Sequence, residues 1–227
     1  MNKIIILKHF TLDHLKEMPS RYRAHLINSC TGYKSANLLG SKSINGTSNL
    51  AIFNSVVHIG SNPPMLGFIL RPLTVPRDTY SNFKKTHFFT VNQVNSEIIK
   101  QAHQTSASYD ENISEFSQTG LSETYLDNFI APYVLESRIK IGCRYLNEYE
   151  IKENGCLLII GAIEHLYVPE DSMHEDGWVQ LDRAETVASV GLDGYALPQL
   201  LNRFAYAKPN KETKSILNGS QKDAPSN

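Results

Sequence analysis

The sequence predicts a mainly β protein with peripheral α-helices, folded as one domain over residues 1–207. Three observations predict this class: several apolar runs have the length of strands, Asn-Gly pairs lie between such runs, and hydrophobic residues make up 41% of a chain of 227 residues. A chain of this length can bury one sizeable core. Residues 208–227 contain no aromatic residue to anchor them, and they predict a disordered tail.

The overall composition argues against several classes of function. Charged residues make up 20% of the chain and the formal net charge is -1, so no strong field favours nucleic acid or an anionic membrane. No apolar run reaches membrane-spanning length, and the apolar part of the N-terminal segment is too short for a secretion signal. We therefore expect a cytoplasmic protein with no nucleic-acid partner and no membrane partner.

The three cysteines, Cys30, Cys143 and Cys156, are widely spaced, and none has a Cys or His neighbour at the spacing of a zinc site. Each lies beside an apolar run, where a thiol behaves as a small hydrophobic side chain. The acidic and histidine residues of segment 164–176 have no regular ligand spacing either. The sequence therefore predicts no metal site.

The N-terminal part of the sequence begins with a short helix. Thr11 is a suitable N-cap for an amphipathic helix over residues 11–18, and Pro19 ends this helix. An extended segment is expected from residue 21 to about residue 29, and a strand over 38–43. These elements precede the most apolar part of the chain.

Two apolar strands separated by prolines lie at the centre of the sequence. An Asn-Gly pair at positions 45–46 predicts a two-residue hairpin turn, because both residues tolerate a positive φ. The turn leads into one long strand over 48–59. Two prolines at positions 63–64 stop this run, and residues 65–70 are predicted to form a buried strand. Because the prolines precede this strand, their missing N–H groups do not interrupt its hydrogen bonds.

The rest of the chain contains further helices, strands and an irregular region. The predicted elements are helices over 79–85 and 95–105, strands over 88–91, 136–149 and 156–168, and a final short helix over 197–204 with Pro198 in its first turn. The region 106–133 is polar and irregular, and its aromatic residues either anchor it on the strands or cover a pocket. Core anchoring is the commoner role for such residues.

Polar side chains lie where the central strands end, at positions that a ligand can reach. Arg71 ends one strand, and Thr79 and Asn82 lie at the start of the helix that follows. A helix N-terminus and an arginine together suit a phosphate group. The alternative is that Asp78 caps a surface helix and pairs with Arg71, which is the commoner arrangement on the residues alone. Asp78 also counts against a phosphate if its carboxylate points the same way.

The motifs of several enzyme classes are absent from the sequence. No G-x-G-x-x-G segment follows a strand, and neither a P-loop nor a G-x-S-x-G segment is present. The sequence therefore predicts no Rossmann dinucleotide site, no P-loop phosphate site and no serine hydrolase of the G-x-S-x-G type.

Several segments occur in an order that is typical of one protein family. The segment TSNLAIFNSVVHIGSNPPMLGFILRP is followed by RDTYSNFKKTHFFTVN, and later by SEFSQTGL, PYVLESRIKIGC and LLIIGAIEHLYV. Over most of residues 20–207 the sequence thus resembles the flavin reductase-like, FMN-binding split-barrel family. The shared features are an Asn and small residues entering a strand, a Pro-Pro turn, a strand with a basic end, T-x-x-N and a strand ending in Val-Asn.

The resemblance implies a six-stranded Greek-key split barrel that binds FMN and forms a homodimer. It implies that the first central strand lines the isoalloxazine ring and that residues after the second strand hold the phosphate. At the matching positions, the ring contacts are Asn49, Phe53, Asn54 and Ser55, and the phosphate contacts are Arg71, Thr79 and Asn82. The family often has a small or hydroxyl-bearing residue at the position of Asn54, so this sequence departs from the pattern there.

The activity that the resemblance implies is that of an NAD(P)H-dependent flavin reductase-type oxidoreductase, with hydride passing to flavin N5. NADH or NADPH would be a transient co-substrate. Such chemistry needs none of the absent motifs, because the cofactor supplies the reactivity and the protein supplies a slot and a phosphate anchor. The alternative function is a non-catalytic FMN-binding electron carrier or a flavin-storage protein.

Overall fold

The computed structural model describes residues 5–110 and 112–217 and shows a mainly β protein with peripheral helices. The strands are β1 (Lys34–Ser35), β2 (Asn37–Lys42), β3 (Ser48–Phe53), β4 (Val57–Ser61), β5 (Pro64–Leu70), β6 (Phe88–Gln93), β7 (Glu123–Thr124), β8 (Tyr133–Val134), β9 (Lys140–Ile151), β10 (Cys156–Tyr167), β11 (Ala188–Val190) and β12 (Gly194–Ala196). The helices are α1 (Leu12–Glu17), α2 (Ser20–Cys30), α3 (Asp78–Thr86), α4 (Ile99–Gln104) and α5 (Glu115–Thr119).

The largest sheet in the described residues contains seven strands in the order β3-β2-β6-β9-β10-β5-β4, and every neighbouring pair is antiparallel. Its longest hairpin joins β9 and β10 and extends from Ile151 paired with Cys156 to Lys140 paired with Tyr167. The two outermost strands, β3 and β4, are consecutive in the chain, so residues 54–56 connect the two edges of the sheet. The sheet therefore curls into a barrel whose edges meet at this connection.

The connection between β3 and β4 interrupts the strand that was predicted over 48–59. The Ser55 hydroxyl donates to the carbonyl of Ile69 on β5 at 3.0 Å and accepts from the Ile69 N–H at 3.1 Å. The Ser55 side chain therefore makes the two hydrogen bonds with the Ile69 backbone that a neighbouring strand would otherwise make. The six-stranded barrel that the resemblance implied is wrong in its strand count, because one predicted strand forms two and the sheet has seven.

Aromatic rings fill the interior of the barrel. Phe68 is fully buried, and its ring centroid lies 5.3 Å from that of Phe53, 6.1 Å from that of Phe83 and 5.5 Å from that of Phe89. All three contacts are edge-to-face, the arrangement that aromatic quadrupoles favour. Because these rings come from β3, β5, β6 and α3, they join the strands and the helix into one core.

A second apolar cluster lies on the other side of β2 and β3 from these rings. It contains buried side chains of the strands and of helices α4 and α5, among them Leu38, Leu50, Ala102 and Phe116. Its partly buried members include Ile52 and Tyr195. The cluster therefore holds α4, α5 and β12 against the sheet.

The N-terminal helix was predicted correctly, whereas the segment after it was not. The Thr11 hydroxyl caps α1 by accepting from the His14 N–H at 3.3 Å. The extended segment predicted over 21–29 is wrong, because α2 covers these residues. No residue of α2 is buried, and its apolar residues form only a weak amphipathic pattern, so little in the sequence indicated a helix here.

The helix predicted over 197–204 is also wrong. The segment is irregular, and the Oδ1 atom of Asn202 accepts from the Arg203 N–H at 2.8 Å and from the Ser215 hydroxyl at 2.6 Å. Such local side-chain hydrogen bonds offer the backbone an alternative to a helix. The prediction failed because a proline at the second position favours a helix start but does not ensure one.

Part of the predicted tail is in contact with the chain before it. The Ala205 N–H donates to the Lys214 carbonyl at 3.0 Å, so residues 208–217 form part of a turned-back segment. Residues 218–227 lie outside the described residues. The domain boundary at residue 207 and the disordered tail stay predictions.

Within residues 5–110 and 112–217, no helix is long and apolar enough to cross a membrane. The same part of the chain contains no group of three or more His, Cys, Asp or Glu side chains arranged to hold a metal ion. The cytoplasmic location and the lack of a metal stay predictions.

Candidate ligand-binding site

A cavity of about 410 Å³ lies beside β3. Three groups of residues line it: Ala51–Phe53 of β3, a cationic wall that includes Arg71, Arg77 and Thr79, and an aromatic wall that includes His103, Tyr109 and Tyr195. The cationic wall comes from the end of β5 and the start of α3, and the aromatic wall comes from α4, the segment after it and β12. The volume is in the range of small-molecule and cofactor sites.

Arg77 contributes a buried donor atom to the lining of the cavity. Its Nε atom is buried and has no hydrogen-bond partner among the described residues. A buried donor without a partner costs about 1–3 kcal/mol, and more in a charged group, because it has lost water and gained no bond. An anionic ligand in the cavity would supply the missing acceptor. Arg77 was not among the predicted site residues, although it lies two positions before the helix predicted over 79–85.

Arg71 is exposed at the end of β5 and makes no ion pair with a described residue. The alternative interpretation, in which Asp78 caps the helix and pairs with Arg71, therefore differs from the structure. Arg77 is the N-cap residue, and Asp78 is the first residue of α3. Arg71 lines the cavity and can still contact a ligand there.

The start of α3 brings backbone donors to the cavity. Among the described residues, no side chain caps the N-terminus of this helix, and Asp78 and Thr79 in its first turn line the cavity. The first N–H groups of a helix have no partner within it, and the helix dipole makes this end positive. Together with Arg77, the first turn of α3 can therefore bind an anion. The carboxylate of Asp78 opposes this attraction in part.

The structure brings five of the seven predicted site residues together. The 410 Å³ cavity is lined by Phe53, Asn54, Ser55, Arg71 and Thr79. The other two, Asn49 and Asn82, line a neighbouring cavity of about 280 Å³ that shares Asp78 with the first. The predicted set is thus divided between two adjacent cavities.

Both asparagines are buried and bonded within the protein. The Nδ2 atom of Asn49 donates to the Thr79 hydroxyl at 2.9 Å, and the Nδ2 atom of Asn82 donates to the Ser41 hydroxyl at 3.1 Å. These bonds tie α3 to β3 and β2, so the asparagines hold Thr79 and its helix in place. Their role as direct cofactor contacts stays a prediction.

Residues 53–55 differ in what they can offer a ligand. Phe53 is half-buried and packs edge-to-face on Phe68. The Ser55 hydroxyl already donates to and accepts from the backbone of Ile69. The side chain of Asn54 lines the cavity and makes no hydrogen bond with a described residue, so its amide can bond the polar edge of a ligand.

Glu115 is a buried carboxylate of the cavity that was not among the predicted site residues. Its side chain is 8% exposed, and Oε2 accepts from the Leu50 N–H at 2.8 Å. Burial raises the pKa of Glu115, and the negative charge of Asp78 adds to this rise, whereas the bond from Leu50 lowers the pKa. The carboxyl therefore binds a proton more tightly in the folded protein than in the unfolded chain.

Replacing Glu115 with Gln should change the pH dependence of stability. Because its folded pKa is raised, the carboxyl favours folding below its ordinary pKa of about 4.3, and this contribution is lost as the pH rises through the raised value. The introduced amide would still accept from Leu50 but would not titrate. From about pH 4 to about pH 8, we expect Glu115→Gln to gain unfolding free energy relative to the unmodified protein, as measured by urea denaturation. If the difference in unfolding free energy between the two proteins stays constant over this pH range, the raised pKa of Glu115 is contradicted.

Two residues of the aromatic wall are joined by a hydrogen bond. His103 Nδ1 and Tyr195 Oη are 3.0 Å apart, and the two rings meet edge-to-face with centroids 5.8 Å apart. The residues are 92 positions apart in the chain. No local sequence signal could have indicated this pair, because only the fold brings α4 and β12 together.

The fold and the cavity together define a class of protein, a split barrel with a small-molecule site whose cationic wall suits an anionic ligand. Residues 35–184 match the family described as flavin reductase like domain. The chain therefore belongs to the flavin reductase-like family, a family of flavin-binding proteins. This confirms the resemblance that the sequence segments indicated.

The chain is also similar to individual proteins. A crystal structure from Shewanella frigidimarina NCIMB 400, named provisionally as a flavin reductase with a split barrel domain, is 44% identical with a TM-score of 0.85, over 88% of this chain and 100% of that chain. Nitrilotriacetate monooxygenase component B from Bacillus cereus is 18% identical with a TM-score of 0.73, over 89% of this chain and 100% of that chain, which shows a shared fold. An uncharacterized protein from Halalkalibacterium halodurans is 26% identical over 160 residues, 68% of this chain and 76% of that protein.

Proposed function

We propose that this protein binds FMN in the 410 Å³ cavity and acts as an NAD(P)H-dependent flavin reductase-type oxidoreductase. The observation that carries the proposal is the buried Nε of Arg77 beside the start of α3, where the described part of the chain provides neither a partner for Nε nor a side-chain cap. An arginine at a helix N-terminus suits a phosphate. Because the chain belongs to the flavin reductase-like family, a flavin mononucleotide is the phosphate-bearing ligand that fits both observations.

The lining residues fit the two ends of FMN. Arg77, Arg71 and the first N–H groups of α3 would hold the phosphate, and Thr79 would support them. Asn54 would bond the polar edge of the ring system, and Phe53 would contact its apolar part. The chemistry that a bound flavin supplies is hydride acceptance at N5, with NADH or NADPH as the donor.

The chain itself would supply binding, orientation and an environment of low polarity. Ala51, Ile52 and Leu70 line the cavity with apolar surface that displaces water from a bound ring. Asp78 and Glu115 also line the cavity, and Arg71, Arg77 and the positive end of α3 provide the opposing attraction for an anion. No acid–base pair is required, because the reactivity belongs to the cofactor.

We also propose that the protein forms a homodimer, as the family resemblance implies. Ile5 is 78% exposed, Ile6 is 93% exposed and Leu7 is 84% exposed. Helices α1 and α2 bury none of their side chains. Exposed apolar surface of this kind supports a covering partner, and a second copy of the chain is the partner that we propose.

The test of the proposed function uses the purified protein loaded with FMN. After desalting, we expect the absorbance of bound flavin to remain and to bleach on anaerobic addition of NADH or NADPH, much faster than free FMN with heat-denatured protein. Bound flavin that neither nucleotide bleaches would favour the alternative, a non-catalytic electron carrier or storage protein. A protein that retains no FMN and shows no binding in titration would contradict the proposed site.

A further inference from the structure

The aromatic wall contains a polar pair that binding of a phosphate and a flavin ring does not require. His103 at the end of α4 and Tyr195 on β12 share a hydrogen bond of 3.0 Å, and both line the cavity. Tyr195 is half-buried and packs against the second apolar cluster, which holds its ring in position. His103 is exposed. The pair therefore combines a fixed phenol with an accessible imidazole.

A tyrosine hydroxyl bonded to a histidine can meet a ligand in two ways. When the hydroxyl donates to Nδ1, its oxygen can accept from the ligand, and when it accepts from Nδ1–H, its own proton can be donated to the ligand. The pair can thus bond either the NH₂ group or the carbonyl of a primary amide. Burial raises the pKa of Tyr195, and the charge of Asp193 raises it further, so the phenol stays protonated at neutral pH.

We propose that the His103–Tyr195 pair binds the carboxamide of a nicotinamide ring as the second ligand of this cavity. The inference rests on the proposed function, because NADH or NADPH is a ligand only if the protein reduces flavin. The residues assigned to the flavin ring, Phe53 and Asn54, line the same cavity as the pair. Two rings bound to these two groups of residues would therefore share one site. The competing role is structural, with the bond serving only to join α4 to β12.

The first experiment compares Tyr195→Phe with the unmodified protein, both loaded with FMN. NAD⁺ and NADP⁺ do not reduce or oxidise the bound oxidised flavin, and their binding is followed as a perturbation of its absorbance. Loss of one hydroxyl bond should weaken binding of the preferred nucleotide about 5- to 10-fold and leave the FMN dissociation constant unchanged. Tyr125→Phe is the matched control, because the Tyr125 hydroxyl bonds Lys42 and Glu123 outside the cavity.

A second variant, His103→Ala, separates recognition from folding. It removes the partner that orients the Tyr195 hydroxyl, so the KM for NADH or NADPH should rise by a similar factor while kcat changes less than about twofold. The thermal unfolding midpoint of each variant is measured alongside. A purely structural bond would lower this midpoint and leave nucleotide affinity and KM unchanged.

Four results would overturn the inference. Equal NAD⁺ and NADP⁺ affinities in Tyr195→Phe and the unmodified protein would assign the pair a structural role. A parallel loss of FMN affinity would assign it to the flavin instead. If NADH or NADPH bleaches the flavin but both variants keep the unmodified KM, only this inference fails. If the unmodified protein binds no FMN, the proposed function fails first and this inference falls with it.

Discussion

Replacing Arg77 with alanine is expected to weaken FMN binding by about 2–4 kcal/mol, roughly 30- to 1000-fold in the dissociation constant. The Nε atom of Arg77 is buried and has no hydrogen-bond partner among the described residues, so a phosphate would supply an acceptor for this donor. The substitution removes a charge-assisted donor and a positive charge beside the start of α3. Titration of the flavin-free protein with FMN, followed by quenching of flavin fluorescence, measures the change.

Three comparison variants make this result specific to Arg77. Arg77→Lys keeps the charge without the planar fork, so its loss of affinity should be smaller than that of Arg77→Ala. Arg71 is exposed, and because solvent screens its charge, Arg71→Ala should cost about 1 kcal/mol or less. Arg21 is exposed on α2 and does not line the cavity, so Arg21→Ala should bind FMN unchanged. If Arg77→Ala binds FMN as tightly as the unmodified protein, Arg77 does not belong to the phosphate site.

The central strands could be predicted from the sequence because apolar runs and turn residues agree there. The two prolines at the start of β5 and the arginine after it mark both ends of that strand, and α3 and β6 follow within a few residues of their predicted bounds. The break between β3 and β4 could not be predicted, since it depends on the bonds of Ser55 to Ile69. Ser55 lies in an apolar run whose pattern predicts one continuous strand. This pattern does not indicate that the Ser55 hydroxyl bonds a residue 14 positions away.

The two helix errors have different physical causes. The apolar residues of helix α2 form only a weak amphipathic pattern, and none of its residues is buried, so little in its sequence indicated a helix. The segment 197–204 has a favourable proline near its start, but the side chain of Asn202 accepts a hydrogen bond from Ser215, 13 residues away. Tertiary contacts of this kind override local preference.

The sequence indicated which segments form the candidate site, but not which residues contact one another there. The polar residues at the end of β5 and the start of α3 were visible, because the strand end and the helix start both have sequence signals. The burial of Asn49 and Asn82 was not, since it depends on partners at Thr79 and Ser41 across the fold. The unpartnered state of Arg77 is a property of the folded cavity, so no pattern in the sequence could indicate it.

Replacing Phe68 with alanine is expected to lower the free energy of unfolding by about 3–5 kcal/mol. The ring is fully buried and makes edge-to-face contacts with Phe53, Phe83 and Phe89. The variant would lose the buried apolar surface of the ring and these three contacts, and it would leave a cavity in the barrel. Urea denaturation followed by far-UV circular dichroism measures the loss. Phe204 is 54% exposed, so Phe204→Ala is the control and should change the unfolding free energy by about 0.5 kcal/mol or less.

A second consequence links this core to the candidate site. Phe53 lines the cavity and packs edge-to-face with Phe68, which does not line the cavity itself. A folded Phe68→Ala protein should therefore bind FMN more weakly, because Phe53 loses this support. Phe68→Leu retains most of the buried apolar volume and should lose roughly half as much stability. A stability loss below about 1 kcal/mol in Phe68→Ala would mean that the ring is not packed at the centre of the barrel. Full FMN affinity in a destabilised Phe68→Ala protein would show instead that Phe53 holds its place without this contact.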